Sequence, residues 1–176
     1  WVDGFQKYLD GCCLALSVML ILVFAWALSS ISSALDLKGV VANMVASSGF
    51  SPKLIPAVIF LAGAVMSFAT GSSWGTTALL MPVAVTICHE YGLGVAVGAA
   101  AAIAGGLFGD HCSPISDTTI KASMASGSDH IAHVATQLPY AFTAGAATFA
   151  AYLIAGYTNS GVIALPVGIG GAIVAV

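Results

Sequence analysis

Residues 109–119 read Gly-Asp-His-Cys-Ser-Pro-Ile-Ser-Asp-Thr-Thr, two carboxylates and four hydroxyls around a proline, in a chain that is 59% hydrophobic and 6% charged. The proline removes a backbone donor and frees carbonyl oxygens upstream, so the run is rich in hard oxygen ligands. Sodium, a small hard cation, takes several oxygens, and a buried carboxylate could hold it in one state and a proton in another. Asp110 is the candidate for that group, because only hydroxyls and backbone lie at helical spacing from it. Ser113 and Ser116 complete the candidate Na+ ligands, with Thr118 and Thr119 adjoining. Asp117 is a further ion- or proton-binding candidate, but Lys121 four residues on would neutralise it, and a helix cap is an equal reading for Ser116 or Asp117. His111 is a candidate pH sensor, although a hydrogen bond to loop backbone accounts for it as well. A second run, Thr70-Gly71-Ser72-Ser73-Trp74-Gly75-Thr76-Thr77, places two glycines and five hydroxyls among eight residues. Thr70, Ser72, Ser73 and Thr76 could supply more oxygens, the alternative being that they satisfy helix ends.

The elements that must position these runs are membrane elements. Residues 11–35 carry no charge, and about 20 apolar residues suffice to cross a hydrocarbon core of about 30 Å, so 12–33 is predicted as a transmembrane helix. Residues 36–53 show helical spacing with polar positions off the apolar face, which predicts a short interfacial helix. From Leu54 to Cys88 nothing is charged, and an unbroken helix would run about 50 Å, too long for one crossing. The Gly- and hydroxyl-rich run must break it, and a re-entrant hairpin over 54–88 is favoured over one kinked crossing. Small residues dominate 91–109 and allow close helix packing. The run at 109–119 then interrupts a broken crossing over 93–126, with a non-helical backbone expected there. Crossings over 132–157 and 161–176 follow, kinked at Pro139 and Pro166. The fold class is therefore an all-α integral membrane protein with five membrane elements. Non-helical backbone at membrane depth is tolerated where it is buried in protein or lines a cavity, which makes the two breaks a transport signature.

Composition excludes other classes. The chain has no arginine, and its lysines are at 7, 38, 53 and 121; no row of phosphates could be neutralised, so nucleic acid is not a partner. Cys12, Cys13, Cys88 and Cys112 show neither metal-ligand nor disulfide spacing. A metal hydrolase using Asp110, His111 and Cys112 is disfavoured because successive residues converge poorly on one ion, so no enzyme activity is expected. His89, His130 and His133 fall near membrane boundaries and read as interfacial. Two lysines in 36–53 against one before residue 11 tilt that loop toward the cytoplasm. No signal peptide is visible and the first residue is Trp1, which predicts a piece of a longer transporter.

Gly105-Gly106-Leu107-Phe108-Gly109-Asp110-His111-Cys112-Ser113-Pro114-Ile115-Ser116-Asp117-Thr118-Thr119-Ile120 closely resembles the signature of the NhaC family of sodium/proton antiporters. Phe68-Ala69-Thr70-Gly71-Ser72-Ser73-Trp74-Gly75-Thr76 is similar to a second motif of that family, and Leu22 through Leu28, centred on Ala25-Trp26, to a third. The resemblance covers nearly the whole chain. It implies the C-terminal half of a transporter built from two inverted repeats, each with a re-entrant hairpin followed by a discontinuous helix. It also implies sodium/proton antiport by an elevator-like movement, in a multi-pass protein of a prokaryotic plasma membrane. Related members couple sodium or protons to organic anions such as malate and lactate, which leaves an organic-anion antiporter as the alternative. The expected partners are the lipid bilayer, the N-terminal half, Na+ and H+, with a homodimer one arrangement open to it. No cofactor is expected, since Na+ and H+ are cargo.

Overall fold

The computed structural model describes residues 51–175 continuously, together with 3–10, 12–13, 23, 27, 31 and 34. The expected crossing over 12–33 with its Leu22–Leu28 motif, and the interfacial helix over 36–53, lie outside the described residues apart from isolated positions and the last three residues. One 3-10 turn, Pro52–Leu54, leads into helix α1 (Ile55–Thr70), followed by α2 (Ser73–Glu90), α3 (Val95–Cys112), α4 (Asp117–Ser126), α5 (His130–Thr158) and α6 (Gly161–Ala175). Among the described residues there is no strand. Three helices are long and apolar enough to cross a membrane by length and composition: Pro52–Thr70, Val95–Cys112 and His130–Thr158. Gly161–Val174 is apolar but shorter.

The ends of these helices follow from local chemistry. Gly71 takes the left-handed conformation at φ 64° and donates its N–H to the Ser67 carbonyl at 2.8 Å, closing α1. Ser72 then caps α2 by accepting from the Gly75 N–H at 3.2 Å. The first break is thus two residues long, and Ser73 already belongs to the second helix. The second break is also shorter than expected: α3 continues through Asp110 and His111 to Cys112, and only residues 113–116 leave the helix. The reason is steric. Pro114 forbids helical geometry at the residue before it, and Ser113 is extended at φ −78°, ψ 127°; nothing forbids it at Asp110. Ser116 caps α4 and Asp129 caps α5, the latter through Ala132 N–H at 2.8 Å.

Close approach of backbones sets how the helices pack. Along α1, Phe60, Ala64 and Ser67 meet Gly105 and then Gly109 of α3 in ascending order, so α1 and α3 run parallel. Along α2, Ser73 and Thr77 meet Gly106 while Ala84 and Cys88 meet Gly98, so α2 runs antiparallel to α3. α1 and α2 therefore form a helical hairpin whose tip is Gly71-Ser72. A Cβ on Gly105 would collide with the Phe60 carbonyl oxygen, and one on Gly109 with that of Ala64, so these contacts require glycine. α5 returns antiparallel to α3, with Gly145 against Phe108 and Asn159 Oδ1 accepting the Gly94 N–H at 2.5 Å. Ring contacts of 5.8 Å between Phe60 and Phe108 and 5.6 Å between Phe60 and Tyr152 tie α1, α3 and α5 together. The apolar core of Ile55, Ile59, Phe60, Ala84, Cys88, Ala101 and Ala102 occupies one end of the hairpin and α3. Both breaks lie at the other end. Large apolar side chains such as Val65, Trp74 and Val174 face outward, as they would toward hydrocarbon.

Candidate functional site

Asp110 ends up 2% exposed in the last turn of α3, with no cationic side chain paired to it among the described residues. Its neighbours are the two hydroxyls that open α4. Ser116 Oγ lies 2.8 Å from Oδ1, Thr118 Oγ1 lies 3.0 Å from Oδ2, and the two hydroxyl oxygens are 2.7 Å from each other. The three groups close a ring of three oxygen–oxygen contacts. Ser116 is fully buried and also accepts the Thr119 N–H at 3.4 Å as the helix cap, whereas Thr118 is the exposed member of the ring.

Counting protons gives the ring its chemistry. Each hydroxyl has one proton to donate and a carboxylate has none. With Asp110 ionised, two protons must serve three contacts, and one pair of oxygens faces without a proton between them. With Asp110 protonated, three protons fill three contacts: Asp110 to Thr118, Thr118 to Ser116, Ser116 back to Asp110. A small cation among the same three oxygens would equally relieve the ionised ring.

The hairpin tip closes against this ring. Ser113 is buried, and its Oγ donates to the Phe68 carbonyl of α1 at 2.8 Å while accepting the Ile115 N–H at 3.3 Å. Gly71 presses on the Ile115 carbonyl so closely that a Cβ there would lie 2.6 Å from its oxygen. The two polar runs, about 40 residues apart in sequence, thus meet in one place. Ser67 joins them. It is fully buried against Gly109, and its hydroxyl is a buried side-chain polar atom without a hydrogen-bond partner. No partner for it lies among the described residues, and such orphans call for an explanation.

The remaining candidates are distributed unevenly. Thr70 and Thr76 hydroxyls lie 3.4 Å apart across the first break, with Thr76 buried. Ser72 is occupied as a cap, and Ser73 presents its carbonyl to Gly106, one turn before Asp110. Thr119 is buried and contributes its backbone N–H to the Ser116 cap. Asp117 is not brought to the ring: it is 65% exposed and paired with Lys121 at 2.6 Å. His111 is exposed and donates from Nδ1 to the Leu107 carbonyl at 2.9 Å. Among the described residues no three of His, Cys, Asp or Glu gather as metal ligands. The sequence reading passed over Ser67 and Ser123, and took His130 and His133 as interfacial. Ser67 had a signal in its place on the small-residue stripe Gly63-Ala64-Ser67, which is the face that meets the α3 glycines. Ser123 is 1% exposed on α4, and both His130 Nδ1 at 3.1 Å and His133 Nδ1 at 2.7 Å converge on its hydroxyl.

An apolar, all-helical chain whose two polar breaks meet at a buried carboxylate has the makings of a membrane ion transporter. The family follows from comparison with known proteins: the profile described as the Na+/H+ antiporter family matches residues 6–157, and the chain belongs to that family. An uncharacterized protein of Haemophilus influenzae is 36% identical over 162 residues, 92% of this chain and 30% of the relative. The malate-2H(+)/Na(+)-lactate antiporter of Bacillus subtilis is 35% identical over 97 residues, 55% of this chain and 21% of that protein. An uncharacterized Na(+)/H(+) antiporter of H. influenzae is 36% identical over 106 residues, 58% of this chain and 22% of that protein. The chain spans less than a third of the length of these relatives. No solved structure matches it.

Proposed function

We propose that the chain carries the ion site of a secondary active antiporter that exchanges Na+ for H+ across the cytoplasmic membrane, as part of the C-terminal half of an NhaC-like transporter. In this reading α1 and α2 are a re-entrant hairpin, α3 and α4 a discontinuous helix, and Asp110 takes Na+ or H+ but not both. The ring of Asp110, Ser116 and Thr118 carries the argument, because it is complete with a third proton and incomplete without one. Ser67 Oγ, and the oxygens near Thr70, Ser73 and Thr76, supply further ligands from the hairpin side. Competition for one carboxylate enforces exchange, since an empty charged site is costly to move through a low-dielectric barrier. The family description and the named Na(+)/H(+) relative support the choice of ions.

A second reading, an organic-anion antiporter coupled to Na+ or H+, is favoured by the named malate–lactate relative. It also has a place to put a small organic molecule: a cleft of about 500 Å³ between α3 and α5, lined by Phe108, His111, Gln137, Tyr140 and Thr148 among others. Vesicles bearing the full-length parent separate the two. Labelled sodium moving against a proton gradient with no organic solute present supports the first. Sodium movement that requires malate or lactate on the opposite side overturns it in favour of the second.

A further inference from the structure

The turn that carries the second break is held from outside by one side chain of α5. His130 Nε2 lies 2.7 Å from the Pro114 carbonyl oxygen, across sixteen residues of sequence. Its other nitrogen, Nδ1, lies 3.1 Å from Ser123 Oγ, and His133 Nδ1 lies 2.7 Å from the same oxygen. Ser123 Oγ is also 2.9 Å from the Thr119 carbonyl. A buried serine on α4, two histidines one turn apart on α5 and a carbonyl of the break thus form one network outside the Asp110 ring.

Proton counting fixes its polarity. The Pro114 carbonyl can only accept, so His130 must carry a proton on Nε2. In a neutral ring Nδ1 is then bare, and the one proton of Ser123 is shared between two acceptors, that nitrogen at 3.1 Å and the Thr119 carbonyl at 2.9 Å. Either way Ser123 has no proton left for His133, so His133 must donate from its own Nδ1 to Ser123 Oγ. Each bond orients the next, and the last one lands on the backbone of the break.

What that bond holds is the site's geometry. Pro114 sits between Ser113, which bridges to α1, and Ile115, whose carbonyl packs on the hairpin tip at Gly71. Proline at this position has no N–H, and within the break lie Ser113 N–H to the Asp110 carbonyl at 3.1 Å, Ser116 N–H to the Ser113 carbonyl at 3.3 Å and Ile115 N–H to Ser113 Oγ at 3.3 Å, none of which uses the Pro114 carbonyl. Anchoring its carbonyl to α5 removes the freedom that would otherwise let Ser116 swing away from Asp110.

We propose that His130 is a positioning residue: oriented by Ser123 and His133, it clamps the Pro114 carbonyl and so sets Ser116 against Asp110. The importance of the clamp for ion binding rests on the reading given above, but the clamp itself does not, and its test is made without sodium and without transport. Hydrogen exchange of the amides of 115–120 is followed in the full-length parent in lipid nanodiscs. His130→Ala is expected to speed that exchange about fivefold, the effect of losing one exposed hydrogen bond. His130→Gln, whose amide can donate to Pro114 and accept from Ser123, is expected to stay within about twofold of the parent. Nitrogen-15 spectra of histidine-labelled protein at about pH 8, where histidine is ordinarily neutral, are expected to show His130 protonated on Nε2 and His133 on Nδ1. Ser123→Ala is expected to change the Nδ1 signal of both. Unchanged exchange in His130→Ala, equal acceleration in His130→Gln, or the opposite tautomer at His130 each overturns the proposal.

Discussion

Replacing Asp110 with Asn separates the role of charge from the role of shape. The amide has the outline of the protonated acid, so the ring can close again: Asn Nδ2–H to Thr118, Thr118 to Ser116, and Ser116 to Asn Oδ1. With all three contacts of 2.7, 2.8 and 3.0 Å retained, Asp110→Asn is expected to cost less than about 1 kcal/mol of stability. The Ala variant, by contrast, leaves the buried Ser116 hydroxyl without its carboxyl partner and is expected to cost about 2 kcal/mol. Sodium binding divides the two forms differently. A ligand at a hundred times its Kd adds about 2.7 kcal/mol to the folded state. At about 1 °C per kcal/mol for a protein about three times this chain's length, as the relatives are, that raises Tm by about 2–3 °C.

The assay is therefore the thermal unfolding of the purified full-length parent with and without saturating sodium, and the pH-dependent uptake of labelled sodium into vesicles. The parent should gain the stated shift, and Asp110→Asn should melt near the sodium-free parent and gain none. On the proposal that one carboxylate serves both ions, sodium and proton exclude each other there. A sodium-dependent shift, or pH-dependent sodium exchange, that survives in Asp110→Asn would refute the assignment.

The other predictions concern the parts around the ring. Ser67→Ala removes a buried hydroxyl with no partner, so in sodium-free buffer it should be neutral or raise stability by about 1 kcal/mol; if Ser67 is a ligand it should also shrink the sodium-dependent rise in Tm, and an undiminished rise would return Ser67 to a structural role. Gly71→Ala puts a Cβ on a residue at φ 64° and 2.6 Å from the Ile115 oxygen, so it should cost about 1–3 kcal/mol and lower sodium affinity by spreading the breaks apart, measured by the same two melts. Asp117→Asn breaks only an exposed pair with Lys121; it should change stability by less than about 1 kcal/mol and leave sodium uptake intact, and loss of uptake would move Asp117 into the site.

What could be foreseen from the residues, and what could not, divides along a physical line. Both breaks were legible because Gly, Pro, Ser and Thr cluster in runs otherwise free of charge, and such clusters make sense in hydrocarbon only where protein satisfies them. Their extent was not. Polarity is a property of side chains, whereas a helix stops only where the backbone fails, so Asp110 and His111 remain in α3 and Ser73 begins α2. The pairing of Asp117 with Lys121 was a local, four-residue relation and could be anticipated. The meeting of Gly71 with Ile115 could not, since it depends on α1 and α3 lying parallel and close enough for backbones to touch. Ser67 was hidden for the opposite reason to Asp110: a small hydroxyl in an apolar helix ordinarily bonds back to its own backbone, and only the three-dimensional packing shows that this one does not. His130 and His133 read as boundary residues when taken singly. Their partner is a serine seven and ten residues earlier, across a turn capped by Gly127, and their target is a proline carbonyl whose exposure no periodicity describes. The residues that supply the charge are thus visible in one dimension, whereas the residues that hold it in place act through contacts between helices.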